Sequence, residues 1–331
     1  MDHTNDHWRP SASLQAIQFR AGLLARLRQY FLQQGVLEVE TPLISSGTIP
    51  DPHIPSFSLD LHHTDISSES SCRYLNTSPE FAMKRLLAAG SGSVYQVCKA
   101  FRQGEQGRLH NPEFTLLEWY RVGFDHHQLM DDVVALIARL SDGLRKFEPE
   151  ERLTYQSVFQ RYLGLDPFGD IQGIIACARN QGIGPVTGLS DTDRDGWLDL
   201  LMGQCIHPRL GENRMTFVYD YPASQAALAR IREDKPPVAE RFELFIDGVE
   251  LANGFHELQD VVEQRKRFQQ ELMRRKAAGL ASVSLDEYFL ESLEAGLPAC
   301  SGVALGLDRL QLVLMGAKSL DEVIAFPFNR M

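Results

Sequence analysis

The connections between its predicted strands restrict the possible folds of this chain more than any other property of the sequence. Residues 93–102 and 112–121 read as two strands on either side of a polar loop, and residues 242–252 read as a second pair. The second pair surrounds Asp247-Gly248, a dipeptide that favours a two-residue hairpin turn. Strands joined by hairpins, rather than by regular alternation with helices, form antiparallel sheets. The sequence therefore predicts an α+β fold in which helices pack on an antiparallel sheet.

Helical periodicity predicts further elements. Apolar residues recur at helical spacing over residues 13–34, where Ser13 can cap the helix and Gly35 can end it. Residues 1–12 read as a polar tail, and residues 60–71 read as an exposed loop. The other predicted elements are a strand at 36–41, helices at 125–140 and 258–276, a mostly helical insertion at about 141–213, a strand at 302–306 and a helix from Leu307.

The composition excludes several classes of protein. The 33 Lys and Arg stand against 44 Asp and Glu, and this net charge of −11 argues against a protein that coats nucleic acid, since phosphate binding needs clustered cations. The 5 cysteines form no C-x-x-C pair, which argues against a disulfide framework or a zinc knuckle. The N-terminus lacks a signal-peptide profile, and no apolar run approaches the ~20 residues of a membrane span. We therefore expect a cytoplasmic protein with no membrane segment.

The loop between the first two strands holds the densest group of polar residues. Arg102, Glu105, Arg108 and His110 lie in or beside it. A planar guanidinium suits a phosphate, and loops between strands often carry function; the alternative is a solvated hairpin tip. In the next strand Glu118 shares an otherwise apolar face, which is costly unless the carboxylate is paired. It therefore meets either a structural Arg or Lys or a cationic ligand.

Three segments, taken in order, resemble the three signatures of class II aminoacyl-tRNA synthetases. They are Gly35 to Thr41-Pro42, Phe101-Arg102 through His110-Asn111-Pro112-Glu113-Phe114-Thr115 to Glu118-Trp119-Tyr120, and Gly302-Val303-Ala304-Leu305-Gly306-Leu307-Asp308-Arg309. The H-N-P-E-F-T-x-x-E-x-Y string and residues 250–258, E-L-A-N-G-F-H-E-L, are similar to the lysyl branch. All of these in one order make a chance match negligible.

The resemblance implies a six-stranded antiparallel sheet flanked by helices, in a single catalytic domain over residues 13–331. It also implies a homodimer formed through the helix at 13–34 and the strand that ends at Pro42. We expect no anticodon-binding domain before the first signature. A lysyl-type catalytic domain of this length resembles the elongation factor P–(R)-β-lysine ligase family, which activates (R)-β-lysine, or lysine, with ATP. Members transfer it to the ε-amino group of a lysine on elongation factor P.

For ATP, the resemblance implies that two arginines are catalytic. Arg102 holds the α-phosphate and Arg309 the γ-phosphate of a bent nucleotide, because adenylate formation needs positioning and charge neutralisation rather than a protein nucleophile. Phe114 stacks against adenine, and Glu250 and Glu257 match positions that serve Mg²⁺. The alternative for Glu250 is a salt bridge within the sheet. The implied ATP-binding residues are Arg102, Gln103, Gly104, Glu105, His110, Asn111, Phe114, Glu250, Leu251, Gly306 and Arg309.

For the amino acid, the resemblance implies an acidic pocket. A lysine-like substrate carries two ammonium groups, so two or more desolvated carboxylates are the expected complement. The implied substrate-binding residues are Ser78, Pro79, Glu80, Glu118, Tyr120, Glu257 and Ala304.

The chain departs from the family pattern at two positions. Gly104 stands where the second signature has the glutamate of R-x-E, and Glu105 follows it. Either a shifted loop register brings Glu105 to the ligand or a backbone group substitutes for it. Ala304 stands where lysyl-tRNA synthetases have glycine, and we hypothesise that its methyl group reshapes the pocket floor for a β-amine.

Two other functions remain open from the residues alone. One is a minimal lysyl-tRNA synthetase, and the other is a non-catalytic regulatory paralogue. A basic surface for an acidic protein acceptor is also open, although a solvated helix paired with Glu263 and Glu271 explains the same charges. The candidate basic residues are Arg265, Lys266, Arg267, Arg274, Arg275 and Lys276.

Overall fold

The computed structural model describes residues 8–61 and 72–331, so most of the predicted loop at 60–71 lies outside the described residues. The α-helices of the described residues are α1 (Leu14–Gln33), α2 (Glu80–Ala88), α3 (His126–Ser141), α4 (Tyr155–Leu163), α5 (Ile171–Asn180), α6 (Arg194–Leu201), α7 (Val261–Ala277), α8 (Glu287–Gly296) and α9 (Leu307–Met315). The strands are β1 (Leu37–Glu38), β2 (Ile44–Ser45), β3 (Ser58–Asp60), β4 (Cys72–Leu75), β5 (Val94–Phe101), β6 (Glu113–Val122), β7 (Glu148–Thr154), β8 (Arg214–Pro222), β9 (Ile231–Arg232), β10 (Val238–Ile246), β11 (Val249–His256) and β12 (Cys300–Gly306).

The larger sheet has nine strands among the described residues, in the order β1-β5-β6-β12-β11-β10-β8-β7, with β9 paired to β10. The expected antiparallel sheet of six strands is corrected to this mixed sheet, because β1 pairs with β5 and β7 pairs with β8 in parallel. Parallel neighbours need a long crossover connection. Along the chain, helix α2 lies between β1 and β5, and helices α4 to α6 lie between β7 and β8. A smaller antiparallel sheet has the order β2-β4-β3.

The chain divides into two compact units. The first comprises Met1–Gly123, Gln259–Cys300 and Ala304–Met331, and the second comprises Phe124–Leu258 and Ser301–Val303. Each unit contains one of the two hairpins that the sequence predicts.

The first unit is built around α1 and the β5–β6 hairpin. Ser13 caps α1 by accepting a hydrogen bond from the Ala16 amide at 3.1 Å. The Phe31 ring on α1 is buried and stacks on Tyr95 of β5, with ring centroids 4.2 Å apart. It also meets the edge of Trp119 on β6 at 5.6 Å. This packing fixes the two strands on either side of the polar loop.

The predicted hairpins are confirmed. Strands β5 and β6 pair antiparallel from Val94 opposite Tyr120 to Phe101 opposite Glu113. In the second unit β10 and β11 are joined by Asp247 and Gly248, whose φ angles of 51° and 72° lie in the left-handed region. Such angles at both central residues define the turn that D-G dipeptides favour.

The region that was predicted as a mostly helical insertion also contains strand β7. Its sequence, EPEERLT, is mostly exposed or half-buried and lacks the apolar alternation by which strands are recognised. Helices α4, α5 and α6 follow it and bury a cluster of apolar side chains that includes Phe159, Ile174, Trp197 and Leu198. Within the described residues, no helix is long and apolar enough to cross a membrane.

The tight packing around Gly254 in the second unit leads to a prediction about stability. A Cβ added at Gly254 on β11 would overlap the Phe242 ring and lie 3.0 Å from the Val303 Cβ. We expect Gly254→Ala to lower the free energy of unfolding by about 1–3 kcal/mol, because a packed core resists added atoms. Denaturant unfolding followed by circular dichroism measures the change.

Gly203 provides the matched control for this substitution. A Cβ at Gly203 meets no atom within 4 Å, so Gly203→Ala is expected to change stability by no more than about 0.5 kcal/mol. Equal stability of the two variants would contradict the packing argument.

Candidate active site

The polar loop of the first unit brings Arg102, Glu105 and Phe114 together. The Arg102 guanidinium lies over the Phe114 ring, 5.1 Å from its centroid. Its Nη1 is 3.5 Å from the Glu105 carboxylate, while its buried Nε has no hydrogen-bond partner among the described residues. Gly104 has a φ of 81°, a left-handed conformation that disfavours a glutamate at this position. The loop therefore places Glu105 beside Arg102 although the R-x-E spacing is broken.

Arg309, on α9, reaches the same loop. Its Nε donates to the Leu109 carbonyl at 3.1 Å, and its Nη2 lies 2.8 Å from His110 Nε2. A guanidinium can only donate, so His110 accepts through Nε2 in this contact. A second guanidinium is thus fixed at the loop that Arg102 begins.

Two polar residues of the motifs hold the loop and helix in place. The Asn111 side chain donates to the Glu113 carbonyl at 2.5 Å and accepts from the Phe328 amide at 2.9 Å. Buried Asp308 accepts from the Thr115 amide at 2.7 Å and pairs with Arg20 at 2.8 Å. Sequence reasoning missed the role of Asp308, although an aspartate in an apolar helix start signals a buried partner.

Other motif residues occupy backbone positions. The Gln103 amide donates to the Pro55 carbonyl at 2.8 Å. Pro79 precedes the first residue of α2, Gly306 precedes the first residue of α9, and Ala304 is half-buried on β12.

A second group of polar residues in the same unit surrounds Glu118 on β6. Glu118 is 2% exposed and accepts two hydrogen bonds of 2.6 Å, one from the Ser78 hydroxyl and one from the Tyr120 hydroxyl. The Ser78 oxygen also accepts from the Glu80 amide at 3.0 Å, which ties this group to the start of α2. Neither hydrogen-bonding partner carries a positive charge. The carboxylate is therefore buried with its charge only partly compensated.

Lys84 is the nearby cation that the sequence analysis overlooked. It is fully buried on α2, and its Nζ donates to Glu80 at 2.6 Å. Burial and the charge of Glu80 raise the pKa of Glu118 to about 7, against the lowering effects of Ser78, Tyr120 and Lys84. At neutral pH, Glu118 is thus divided between its protonated and ionised forms. An incoming ammonium group would favour the ionised form.

In the second unit, a β-bulge decides the direction of Glu250. Asn253 pairs with Glu243 across the hairpin, but Glu250 pairs with Phe245, so the register shifts around Leu251. Directly opposed residues share a face, and the bulge therefore places Glu250 on the same face as Asn253. Glu257, one residue beyond the strand, follows the same alternation. Without the bulge, an odd separation of seven residues would put the two glutamates on opposite faces.

A half-buried arginine supports this face. Arg241 pairs with Glu243, and its Nε donates to the Asn253 side chain at 3.2 Å. Burial and the neighbouring Glu250 raise the pKa of Glu243, while Arg241 lowers it. Sequence reasoning missed Arg241 and Glu243, because alternating charges on a strand resemble a solvated face. Arg241 compensates Glu243, so Glu250 is the carboxylate on this face whose chemistry fits Mg²⁺.

The basic residues of α7 are mostly engaged within the first unit. Arg265 pairs with Glu287 at 2.7 Å, and Arg274 pairs with Glu271 at 2.7 Å. Buried Arg275 donates to the carbonyls of Ala281 and Asp51. These contacts favour the interpretation of α7 as a helix whose charges are internally paired.

Comparison with known proteins agrees with the fold and the motif geometry. The family model described as tRNA synthetases class II (D, K and N) matches residues 4–330. The large sheet, its flanking helices and the three motifs thus define a class II tRNA synthetase domain.

Relatives that match over nearly their whole length show which family within this class the chain belongs to. A protein of Vibrio vulnificus named elongation factor P–(R)-β-lysine ligase is 47% identical over 97% of this chain and 98% of its own length. A protein of the same name from Vibrio cholerae is 46% identical over 99% of this chain and 99% of its own length. Another from Salmonella paratyphi B is 46% identical over 98% of this chain and 98% of its own length. The chain belongs to the elongation factor P–(R)-β-lysine ligase family. The resemblance inferred from the motifs is confirmed.

Proposed function

We propose that this protein is an AMP-forming ligase that activates (R)-β-lysine with ATP and transfers it to a lysine ε-amino group of elongation factor P. The observation that carries the proposal is the near-complete match to relatives of that name. Among the described residues, the buried carboxylate of Glu118 accepts its hydrogen bonds from the hydroxyl groups of Ser78 and Tyr120, which supports a cationic amino acid as substrate. A cytoplasmic location is part of the proposal, because the acceptor is a translation factor.

The ATP-binding loop is proposed to neutralise charge during adenylate formation. The substrate carboxylate attacks the α-phosphorus and pyrophosphate leaves, so negative charge moves between phosphate oxygens. Arg102 and Arg309 are the guanidinium groups that the loop fixes for this purpose. Phe114 offers a ring face for adenine, with Gln103, Gly104, Glu105, His110, Asn111 and Gly306 in the surrounding backbone and loop.

The carboxylates of the β10–β11 hairpin are proposed to hold Mg²⁺. Glu250 and Glu257 would be its protein ligands, with Leu251 shaping the bulge that directs Glu250. Held by these carboxylates, Mg²⁺ would supply positive charge that lowers the repulsion between phosphate oxygens. Burial and the charge of Glu250 both raise the pKa of Glu243, while Arg241 lowers it, which is consistent with two carboxylates lying close together on this face.

The amino acid is proposed to bind beside the start of α2. Ser78, Pro79 and Glu80 would face one ammonium group, and Glu118 with Tyr120 the other, with Ala304 of the same unit as a further substrate-binding residue. Lys84 holds Glu80 before substrate arrives, so binding involves exchange of one ammonium partner for another.

A mass measurement on the acceptor tests the function. The protein is incubated with ATP, Mg²⁺ and either (R)-β-lysine or α-lysine, and elongation factor P is then weighed by mass spectrometry. The expected result is an increase of one β-lysyl group, faster with (R)-β-lysine. Charging of tRNA instead would identify a minimal lysyl-tRNA synthetase. Failure to exchange pyrophosphate with either amino acid would indicate a regulatory paralogue.

The raised pKa of Glu118 predicts a pH dependence of substrate capture. An acid with a raised pKa is protonated below that value, so the ionised form that binds ammonium grows as pH rises through about 7. We expect kcat/KM for β-lysine to increase about tenfold from pH 6 to pH 8, following the ionised fraction. Pyrophosphate exchange across this range measures it. A flat profile would show that Glu118 is already ionised before substrate binds.

The methyl group of Ala304 is expected to affect the preference for (R)-β-lysine over α-lysine. We expect Ala304→Gly to shift the ratio of kcat/KM from (R)-β-lysine towards α-lysine by about 10-fold, since one methyl group in a pocket is worth about 1–3 kcal/mol. Pyrophosphate exchange with each isomer gives the ratio. An unchanged ratio would remove Ala304 from the determinants of specificity.

A homodimer is also proposed, through α1 and the strand that ends at Pro42. Large apolar side chains on this segment are exposed, with Leu14 69%, Leu32 79% and Leu37 55% accessible. Sedimentation equilibrium of the full chain should give twice the 37.3 kDa mass. A mass of one chain at micromolar concentration would contradict this assembly.

A further inference from the structure

A cluster of buried polar side chains in the second unit takes no part in the site described above. His126 begins α3, Glu240 lies on β10 and His256 ends β11. One possible ligand atom from each lies within 4.8 Å of those from the other two. The three residues are only 2%, 4% and 9% exposed. Polar groups this deeply buried normally find partners, so their hydrogen bonds indicate what the cluster does.

Several atoms of the cluster lack such partners. Neither ring nitrogen of His126 has a hydrogen-bond partner among the described residues, nor does Nδ1 of His256 or Oδ1 of the adjacent Asp220. His256 Nδ1 lies 2.8 Å from Glu240 Oε2 but is out of line for a hydrogen bond. Asp220 Oδ1 is 3.7 Å from His126 Nε2. Lone pairs from two imidazoles and a carboxylate thus converge without being satisfied by one another.

The ionic surroundings tolerate added positive charge. Arg230 is bound by Glu240, with contacts of 2.6 and 3.0 Å. Arg232 pairs with Asp220 at 2.7 Å and Asp234 at 2.8 Å. Three carboxylates therefore face two guanidinium groups, and one negative charge remains uncompensated when the imidazoles are neutral.

We propose that His126, Glu240 and His256 bind a transition-metal ion of the Zn²⁺ type. Two imidazole nitrogens and one carboxylate oxygen form a ligand set that Zn²⁺ accepts, whereas Mg²⁺ selects oxygen ligands. The site is therefore chemically distinct from the Mg²⁺ site proposed for ATP. Metal-bound histidines usually donate their other ring N–H to a carboxylate, and the Asp220 carboxylate lies beside the His126 ring, 3.7 Å from Nε2.

The bound ion would join three separate segments of the second unit. It would connect the first turn of α3 to β10 and to the end of β11. Because it binds the folded chain and the ligands are dispersed on unfolding, Zn²⁺ would also raise the unfolding temperature. The role inferred here is structural and does not depend on the proposed ligase activity.

Metal titration of the untagged full-length protein tests the proposal. Protein stripped with a chelator is titrated with Zn²⁺ in competition with a chromophoric chelator, and with Co²⁺ followed by its visible absorption. We expect one Zn²⁺ per chain that excess Mg²⁺ does not displace. His126→Asn should weaken binding at least about 100-fold, and Asp220→Asn roughly 10–100-fold. His127→Asn, which changes the neighbouring histidine outside the cluster, should leave the affinity unchanged.

Two results would overturn the proposal. One is the absence of stoichiometric Zn²⁺ binding by the folded wild-type protein. The other is unchanged Zn²⁺ affinity in His126→Asn that circular dichroism shows to be folded. If His126→Asn does not fold, His256→Asn is judged by the same affinity criterion, and the wild-type stoichiometry remains decisive in either case.

Discussion

Replacing Glu118 with glutamine is expected to lower kcat/KM for (R)-β-lysine by roughly 30-fold to a few thousand-fold. The substitution keeps the shape of the side chain and removes the charge that is proposed to bind an ammonium group. Loss of one partner from a buried charge pair costs about 2–5 kcal/mol, which corresponds to that range. Ser78 and Tyr120 donate to different carboxylate oxygens, so the amide oxygen can keep one of these hydrogen bonds, while the amide NH2 can only donate to the other hydroxyl. Pyrophosphate exchange at varied β-lysine concentration measures the effect.

Glu113→Gln is the matched control, because Glu113 lies on the same strand. Its side chain is half-exposed and pairs with Lys99 at 3.2 Å, outside the group around Glu118. We expect this variant to retain wild-type kcat/KM. If both variants were equally active, the ammonium site would have to lie elsewhere.

Arg102→Ala is expected to lower the rate of adenylate formation about 10²–10³-fold with a smaller change in the KM for β-lysine. A fixed donor aimed at charge that develops during the reaction acts mainly on the transition state, and loss of one such donor has an effect of this size. Among the described residues, the buried Nε of Arg102 has no hydrogen-bond partner, which is consistent with a group that binds an anionic ligand. Single-turnover formation of the adenylate separates this effect from product release.

Arg265→Ala controls for the general loss of a positive charge. Arg265 pairs with Glu287 on the surface of α7 and is expected to leave adenylate formation unchanged. A rate for Arg102→Ala within twofold of wild type would rule out its assignment to the phosphate. Circular dichroism of each variant verifies that the fold is retained.

The hairpins and long helices were predictable because local signals specify them. The Asp247-Gly248 turn and the alternation around Glu118 depend on neighbouring residues and appear directly in the sequence. The parallel pairs were not predictable in this way. Strand β1 is only two residues long and β7 is rich in charge, so their places depend on crossovers that are distant in sequence.

The residues of the candidate site could be predicted from the sequence only where they belong to a motif. The motif identified Glu118 and Ser78, and the structure shows them hydrogen-bonded to each other. It did not identify Lys84, since a lysine on a helix usually extends into solvent and only the tertiary fold buries it beside Glu80. The raised pKa of Glu118 could not be predicted either, because desolvation depends on everything packed around the carboxyl group.

The bulge at Leu251 has a consequence for comparing this chain with its paralogues. Deleting this one apolar residue would restore regular pairing and leave Glu250 opposite Phe245, because an even separation of six residues needs no bulge to keep both glutamates on one face. A substitution that kept all seven residues but abolished the bulge would instead turn Glu250 to the opposite side of the strand, although every acidic residue of the motif would survive. A paralogue can therefore keep both glutamates and still lose the ability to present them together, so the spacing of the two glutamates and the presence of the bulge have to be compared jointly.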